Sequence, residues 1–294
     1  MKNILLTVEY DGAGFHGWQK QPGARTAQGE LEAALSAVCR AEVSVHGASR
    51  TDAGVHAYGQ RASFRGDFGI PAERLARAVN NLLGCGIELP ARDAGPADGK
   101  AGAGLAETGV CAGKSKTDAG RVPRIGMPGD LRVREAARMP EDFHARYDAK
   151  GKKYIYRILS TPQTDIFLRN SCWQMAETLD ANAMRAAARH IVGTRDFRAF
   201  QAAGGHARKT TVRTLFGLNI ETKSAGEGRS MTVIEVTGDG FLYNMVRIIA
   251  GTLALAGTGR MDPEDVRRAV ESLDRRNAGP TAPPQGLYLA EVYY

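Results

Sequence analysis

Cysteine is scarce in this chain of 294 residues, and its four copies stand far apart. They are Cys39, Cys85, Cys111 and Cys172, with no C-x-x-C pair of the kind that holds structural zinc or performs redox exchange. The spacing excludes those two classes of site. We expect reduced and mostly buried thiols.

A long hydrophobic run is also missing. The apolar stretch near the start covers only residues 4 to 10, which is too short for a signal peptide, and no segment approaches the ~20 apolar residues of a membrane span. The sequence therefore predicts a cytoplasmic protein with no membrane partner.

Acidic residues are not in excess. Lys and Arg number 39 against 32 Asp and Glu, which gives a net charge of +7. This balance suits a polyanionic partner such as nucleic acid, but many proteins that bind no polyanion have a similar surface. Charge alone leaves both interpretations open, while the 43% hydrophobic content allows a sizeable core.

The apolar pattern alternates between the period of a strand and the period of a helix. Strands are predicted at 4–10, 43–49, 58–64, 131–134, 153–159, 212–220, 232–236 and 287–293, and helices begin near Thr26, Pro71, Asp180, Tyr243 and Asp262. Helices between strands, several of them joined by short turns, predict an α+β fold in which two similar α/β halves surround a mixed, largely antiparallel central sheet. We place the N-terminal half at residues 1–140 and the C-terminal half at 141–294.

One segment breaks this rhythm. Of the 43 residues from 85 to 127, 17 are Gly or Ala, and no period is sustained. We interpret about 84–127 as a flexible surface insertion in the N-terminal half.

Residues 12 to 17 match G-x-G-x-x-G, the pattern that binds a dinucleotide pyrophosphate at the start of a helix. The context does not fit, because Trp18, Gln19, Lys20, Gln21 and Pro22 follow where a helix should begin. A nicotinamide dehydrogenase therefore remains only an outside interpretation.

The segment around Asp52 is the most informative in the chain. Asp followed by Ala and Gly between two predicted strands suits an ordinary turn. Two features favour a nucleophile instead: Arg50, whose positive charge would lower the pKa of Asp52, and the small residues Ala53 and Gly54, which leave room for a planar ligand.

The stretch Arg50-Thr51-Asp52-Ala53-Gly54-Val55-His56 resembles the signature of the tRNA pseudouridine synthase A family. Further stretches match that family in the same order: Glu9-Tyr10-Asp11-Gly12, Gly17-Trp18-Gln19, Gln28-Gly29-Glu30-Leu31-Glu32, Asp142-Phe143-His144-Ala145-Arg146, Lys153-Tyr154-Ile155-Tyr156, Met245-Val246-Arg247 and Gly286-Leu287-Tyr288-Leu289. The resemblance spans nearly the whole chain except the insertion. A second Thr117-Asp118-Ala119-Gly120 in the insertion has no Arg two residues before its Asp, so we do not expect it to be catalytic.

The resemblance implies the pseudouridine synthase fold and an isomerase that needs no cofactor and no metal. Asp52 would be the nucleophile, and attack on C1′ of the ribose or on C6 of the base both remain open. Arg50 would brace the stack that the flipped uridine leaves and would contact the RNA backbone. Tyr154 would lie against the uracil and could remove the C5 proton, and Arg247 would form an ion pair with Asp52. The alternative roles are a surface arginine for Arg50 and strand packing for Tyr154. Leu289 could form an apolar wall, although a core leucine is the simpler interpretation.

The family also implies a homodimer that modifies uridines at positions 38 to 40 of the tRNA anticodon arm. Candidate phosphate contacts outside the pocket are Lys20, Arg25, Lys152, Lys153, Arg208, Lys209 and Arg213. Two rival functions remain: a synthase of the same fold acting at another RNA position, and a tRNA-binding protein whose catalysis is incidental.

Overall fold

The computed structural model describes residues 1–84, 129–204 and 209–294. The predicted insertion, apart from Gly84, and the candidate contact Arg208 lie outside the described residues. Cys39 and Cys172 are free thiols, the first half-buried and the second buried.

The chain begins with three strands and two helices packed on them, followed by a fourth strand. These elements are β1 (Lys2–Tyr10), α1 (Ala27–Cys39), β2 (His46–Gly47), β3 (His56–Gly66), α2 (Ala72–Leu82) and β4 (Leu131–Met139). The start of α1 follows from its sequence, because the Thr26 hydroxyl accepts a hydrogen bond from the Gly29 amide. Its apolar positions Leu31 and Leu35 are fully buried.

The second part of the chain contributes six further strands and three helices within the described residues. They are β5 (Gly151–Ser160), β6 (Trp173–Met175), α3 (Ala181–Ala188), β7 (Gly193–Asp196), β8 (Val212–Gly226), β9 (Arg229–Gly238), α4 (Met245–Gly257), α5 (Pro263–Ser272) and β10 (Leu287–Tyr293). Helix α5 begins directly after Asp262 and has Pro263 in its first turn, as the sequence predicts. Asp262 caps it through a capping box with Asp265. Helix α4 is buried along almost its whole length.

One sheet connects the two parts, in the order β4-β1-β3-β10-β5-β9-β8-β7, with β2 beside β3 and β6 beside β5. Strand β10 pairs parallel with β3 and antiparallel with β5, so the last strand of the chain joins the first part to the second. The predicted α+β fold with a mixed, largely antiparallel sheet is confirmed. The proposed division at residue 140 falls between β4 and β5 and stays a prediction.

The prediction of a strand at 43–49 was wrong for most of its length, since only His46 and Gly47 pair with β3. The reason is that side chains of α1 take the backbone donors: the Val43 amide donates to Ser36 Oγ, and the Val45 amide donates to Glu32 Oε1. Strands β6 and β7 were not predicted, because three and four residues are too few to show a period.

The candidate active site

A cleft of about 730 Å³ opens where β3, β10 and β5 meet, and residues of both parts of the chain line it. Its volume falls within the range of about 300–1,000 Å³ that is usual for small-molecule sites. The Asp52 loop, Tyr154 of β5 and Arg247 of α4 all face it. Three of the residues singled out from distant parts of the sequence therefore share one cavity, and Arg50 lies at the same cleft.

The glycine-rich segment that follows β1 holds the Asp52 loop in place through backbone hydrogen bonds. The Trp18 amide donates to the Thr51 carbonyl oxygen at 3.0 Å, and the Gly54 amide donates to the Phe15 carbonyl oxygen at 3.3 Å. A Cβ on Gly12 would lie 2.1 Å from the Val55 carbonyl oxygen, which leaves no space for any other residue. The G-x-G-x-x-G pattern thus serves as a platform for the Asp52 loop.

Asp52 and Arg247 form the ion pair that the sequence predicted, with 3.7 Å between Asp52 Oδ2 and a guanidinium nitrogen of Arg247. The same guanidinium donates to the Ala282 carbonyl oxygen at 2.7 Å and to Asn244 Oδ1 at 2.9 Å. These two bonds fix the arginine on the second part of the chain, while its partner stands on the first. The pair therefore exists only when the two parts are docked.

The electrostatics of Asp52 differ from the expectation. Burial raises the pKa of the Asp52 carboxyl above its ordinary value, and the charge of Arg247 opposes this shift without cancelling it. Arg50 is exposed and is not among the charges that shift this pKa. The expected lowering by Arg50 was wrong because its side chain extends into solvent, whereas the carboxylate loses water.

Tyr154 lines the same cleft as this carboxylate, and the Asp52 charge contributes to raising the pKa of the tyrosine. Its ring packs edge-on against Phe241 at 5.0 Å, and 6% of the residue is exposed. The neighbouring Leu289 is completely buried in the core, and Leu287 lines the cleft in its place. The two leucines stand two positions apart on β10 and therefore on the same face of the sheet, so the wall of the site continues directly into the core.

A family model described as tRNA pseudouridine synthase matches residues 6–96 and 187–294. Proteins named tRNA pseudouridine synthase A are similar over the whole chain: the one from Ruminiclostridium cellulolyticum is 40% identical over 294 residues, with all of both chains covered. The one from Acetivibrio thermocellus is 38% identical with the same coverage, and the one from Citrifermentans bemidjiense is 38% identical, covering all of this chain and 98% of its own.

The chain belongs to the tRNA pseudouridine synthase family. Its members are isomerases, and the family model includes Arg50, Asp52 and Arg247, while Tyr154 lies between the two matched ranges. In the part of the chain that the structure describes, no three His, Cys, Asp or Glu residues are grouped as metal ligands, and no helix is long and apolar enough to cross a membrane.

The predicted phosphate contacts of this synthase divide into two groups. The first group forms ion pairs with acidic residues: Lys20 with Glu32 at 3.0 Å, Arg25 with Asp130 at 2.7 Å, and Lys153 with Glu235 at 3.1 Å. Lys152 and Arg213 instead line the cleft, and Lys209 is exposed. Arg146 also lines the cleft, although the sequence suggested no role for it beyond the family motif.

A second cavity of about 470 Å³ opens on the other face of the same junction. Tyr288 lines it and is paired in register with Ile155, whereas Leu289 is paired with Tyr154; successive residues of a strand point to opposite faces. Its wall also includes Asp11, His56, Tyr58 and Arg132. We call this the rear cavity.

Proposed function

We propose that the protein isomerises uridine to pseudouridine at positions 38 to 40 of the tRNA anticodon stem-loop, with Asp52 as the nucleophile. The observation that carries this proposal is the Asp52 carboxylate, which is one-third exposed, ion-paired with Arg247 and in the same cleft as the buried Tyr154. The reaction breaks the bond between C1′ and N1, turns the uracil and joins C1′ to C5. No electrons enter or leave, so no redox cofactor is required.

Uridine inside a stem or a stacked loop cannot reach a carboxylate at the bottom of a cleft. The base must flip out, which costs a few kcal/mol. Arg50 is exposed at the mouth of the cleft and is the residue that would fill or brace the vacated stack. The positive side chains Arg146, Lys152 and Arg213 line the same cleft and would hold backbone phosphates.

The resemblance also supports a homodimer that binds tRNA across two subunits in the cytoplasm. Light scattering coupled to size exclusion, with and without tRNA, measures this directly. A mass of two chains supports the proposal, and a monomer that is fully active contradicts it.

The decisive experiment is pseudouridine formation on unmodified tRNA transcripts, with every modified position mapped. One comparison sets the wild-type protein against Asp52→Ala on the same transcripts. The other gives the wild-type protein transcripts in which the uridines at 38 to 40 are replaced by cytidine. Activity that disappears in both comparisons supports the site and the nucleophile together. Modification at other positions favours the rival synthase, and binding without any modification favours the binding protein.

A further inference from the structure

The hydroxyl of Tyr154 contacts a serine that was not selected from the sequence as a site residue. Ser49 Oγ lies 2.7 Å from the Tyr154 hydroxyl oxygen. Ser49 is itself fixed by Gln60, which is completely buried: its Nε2 donates to the Ser49 carbonyl oxygen at 2.8 Å, and its Oε1 accepts from the Ser49 amide at 3.2 Å. Gln60 belongs to β3, so the sheet fixes the position of Ser49 although Ser49 itself lies in a loop.

A nearby ammonium group favours one direction for the hydrogen bond between Ser49 and Tyr154. Lys152 Nζ donates to the Ala48 carbonyl oxygen at 2.8 Å and lies 3.5 Å from Ser49 Oγ. Either hydroxyl could donate in the bond between Ser49 and Tyr154. An ammonium can only donate, so Lys152 occupies a lone pair of Ser49 Oγ and favours the orientation in which the serine proton points to Tyr154. The Tyr154 oxygen then accepts from Ser49, and its own O–H is directed elsewhere.

The cleft is the side to which that O–H can turn. Tyr154 lines the cleft, and within the described residues Ser49 is its only hydrogen-bond partner. Burial, reinforced by the charge of Asp52, raises the pKa of Tyr154 to about 12, so the phenol keeps its proton at neutral pH. A phenol that already accepts one hydrogen bond is a better donor, because hydrogen bonds in a chain polarise one another.

We propose that Ser49 is a positioning residue that turns Tyr154 into a hydrogen-bond donor toward a carbonyl oxygen of the flipped uracil. The inference rests on the proposed function and adds the role of Tyr154 within it. Donation to the base stabilises the negative charge that develops on the uracil as its bond to C1′ breaks, and the proton stays on the tyrosine. Removal of the C5 proton by Tyr154 is disfavoured by this arrangement, since the phenol is already protonated and its oxygen is occupied.

The test is the single-turnover rate on a tRNA transcript at saturating enzyme, for Ser49→Ala, Ser49→Thr, Tyr154→Phe and the double variant Ser49→Ala/Tyr154→Phe. We expect Ser49→Ala to lower the rate about tenfold with the tRNA dissociation constant unchanged, and Ser49→Thr, which keeps the hydroxyl, to restore it. The double variant should be no slower than Tyr154→Phe, because Ser49 acts through the tyrosine. Ser36→Ala, which removes a hydroxyl from α1, is the matched control.

The pH profile separates a donor from a base. A donor predicts a rate that is flat from neutral pH to about 8.5, below the ionisation of the uracil itself, whereas a base of high pKa predicts a rate that rises with pH over this range. A wild-type rate in Ser49→Ala, multiplied losses in the double variant, or a rising profile would each overturn the proposal. An inactive wild-type protein would refute the proposed function itself, whereas an active one with an unaffected Ser49→Ala refutes only the role of Ser49.

Discussion

The active-site cleft and the rear cavity lie on the two faces of one sheet junction and contain the same kinds of residue. Each has an aspartate, a tyrosine and an arginine close to the paired strands β3, β10 and β5. Even the local sequences are similar, since Asp11 precedes Gly12 and Asp52 precedes Ala53 and Gly54. The pKa of Asp11 is nevertheless lowered from its ordinary value, whereas the pKa of Asp52 is raised.

The surroundings explain the difference. The Asp11 carboxylate is mostly exposed, and its pKa is lowered by the hydrogen bond with His56 and by the Ala13 amide. His56 Nδ1 lies 3.0 Å from both Asp11 Oδ1 and the Gly12 amide nitrogen, so it can donate to the first or accept from the second. The Asp52 carboxylate has lost water, and within the described residues its one ion-pair partner is Arg247, at 3.7 Å. A satisfied carboxylate supports structure, while a partly desolvated one with spare lone pairs is available for chemistry.

The largest expected effect is the difference in single-turnover rate between substitutions of these two aspartates. Asp52→Asn should lower the single-turnover rate by at least about 10³-fold, because it removes the nucleophile. Asp11→Asn keeps an oxygen that can accept from the Ala13 amide and should stay within about threefold of the wild type. Pseudouridine formation measured on one tRNA transcript compares the two variants directly. Equal losses in both variants would mean that the rear cavity takes part in the reaction.

The next effect concerns the ion pair. Arg247→Gln removes the positive charge that lowers the pKa of Asp52, so the effect of burial remains alone and the pKa rises further. Because the nucleophile must be ionised, the acidic limb of the pH–rate profile should move to higher pH, and the rate at neutral pH should fall about tenfold. Arg157→Gln, which alters the guanidinium stacked over Tyr58 and Tyr288, is the control. An unshifted limb in Arg247→Gln would contradict the assignment.

A smaller effect tests which face the tRNA touches. Arg50→Gln removes one charge at the cleft and should reduce the slope of log K against log salt concentration by about 1, as expected for one lost phosphate contact. Arg132→Gln in the rear cavity should leave the slope unchanged. Filter binding at several salt concentrations measures both. If Arg132→Gln gave the larger change, the tRNA would have to reach the rear face.

The smallest effect is on stability alone. The Tyr288 hydroxyl donates to the Ser171 carbonyl oxygen at 2.6 Å, so Tyr288→Phe should lower the free energy of unfolding by about 1 kcal/mol and leave the rate of modification unchanged. Urea denaturation and the tRNA assay give the two values. A Tyr288→Phe protein of normal stability and low activity would contradict the assignment of structure to the rear cavity and chemistry to the cleft.

The sequence predicted the elements whose signals are local. Thr26, Asp180 and Asp262 cap the helices that begin directly after them, because a short polar side chain bonds the first amides of its own helix. The strand at 287–293 was predicted with its observed bounds from its apolar content. The motif around Asp52 and the resemblance pointed to the residues that the structure brings to one cleft.

Only the tertiary structure decided how these residues are held and charged. The 43–49 segment is mostly not a strand, because Ser36 and Glu32 on α1 take its amides, and no local pattern contains that contact. The raised pKa of Asp52 and the bond between Ser49 and Tyr154 depend on β3, β5 and α4 meeting across more than a hundred residues of chain. Desolvation and pairing are set by what surrounds a group in space, whereas propensity and capping are set by its neighbours along the chain.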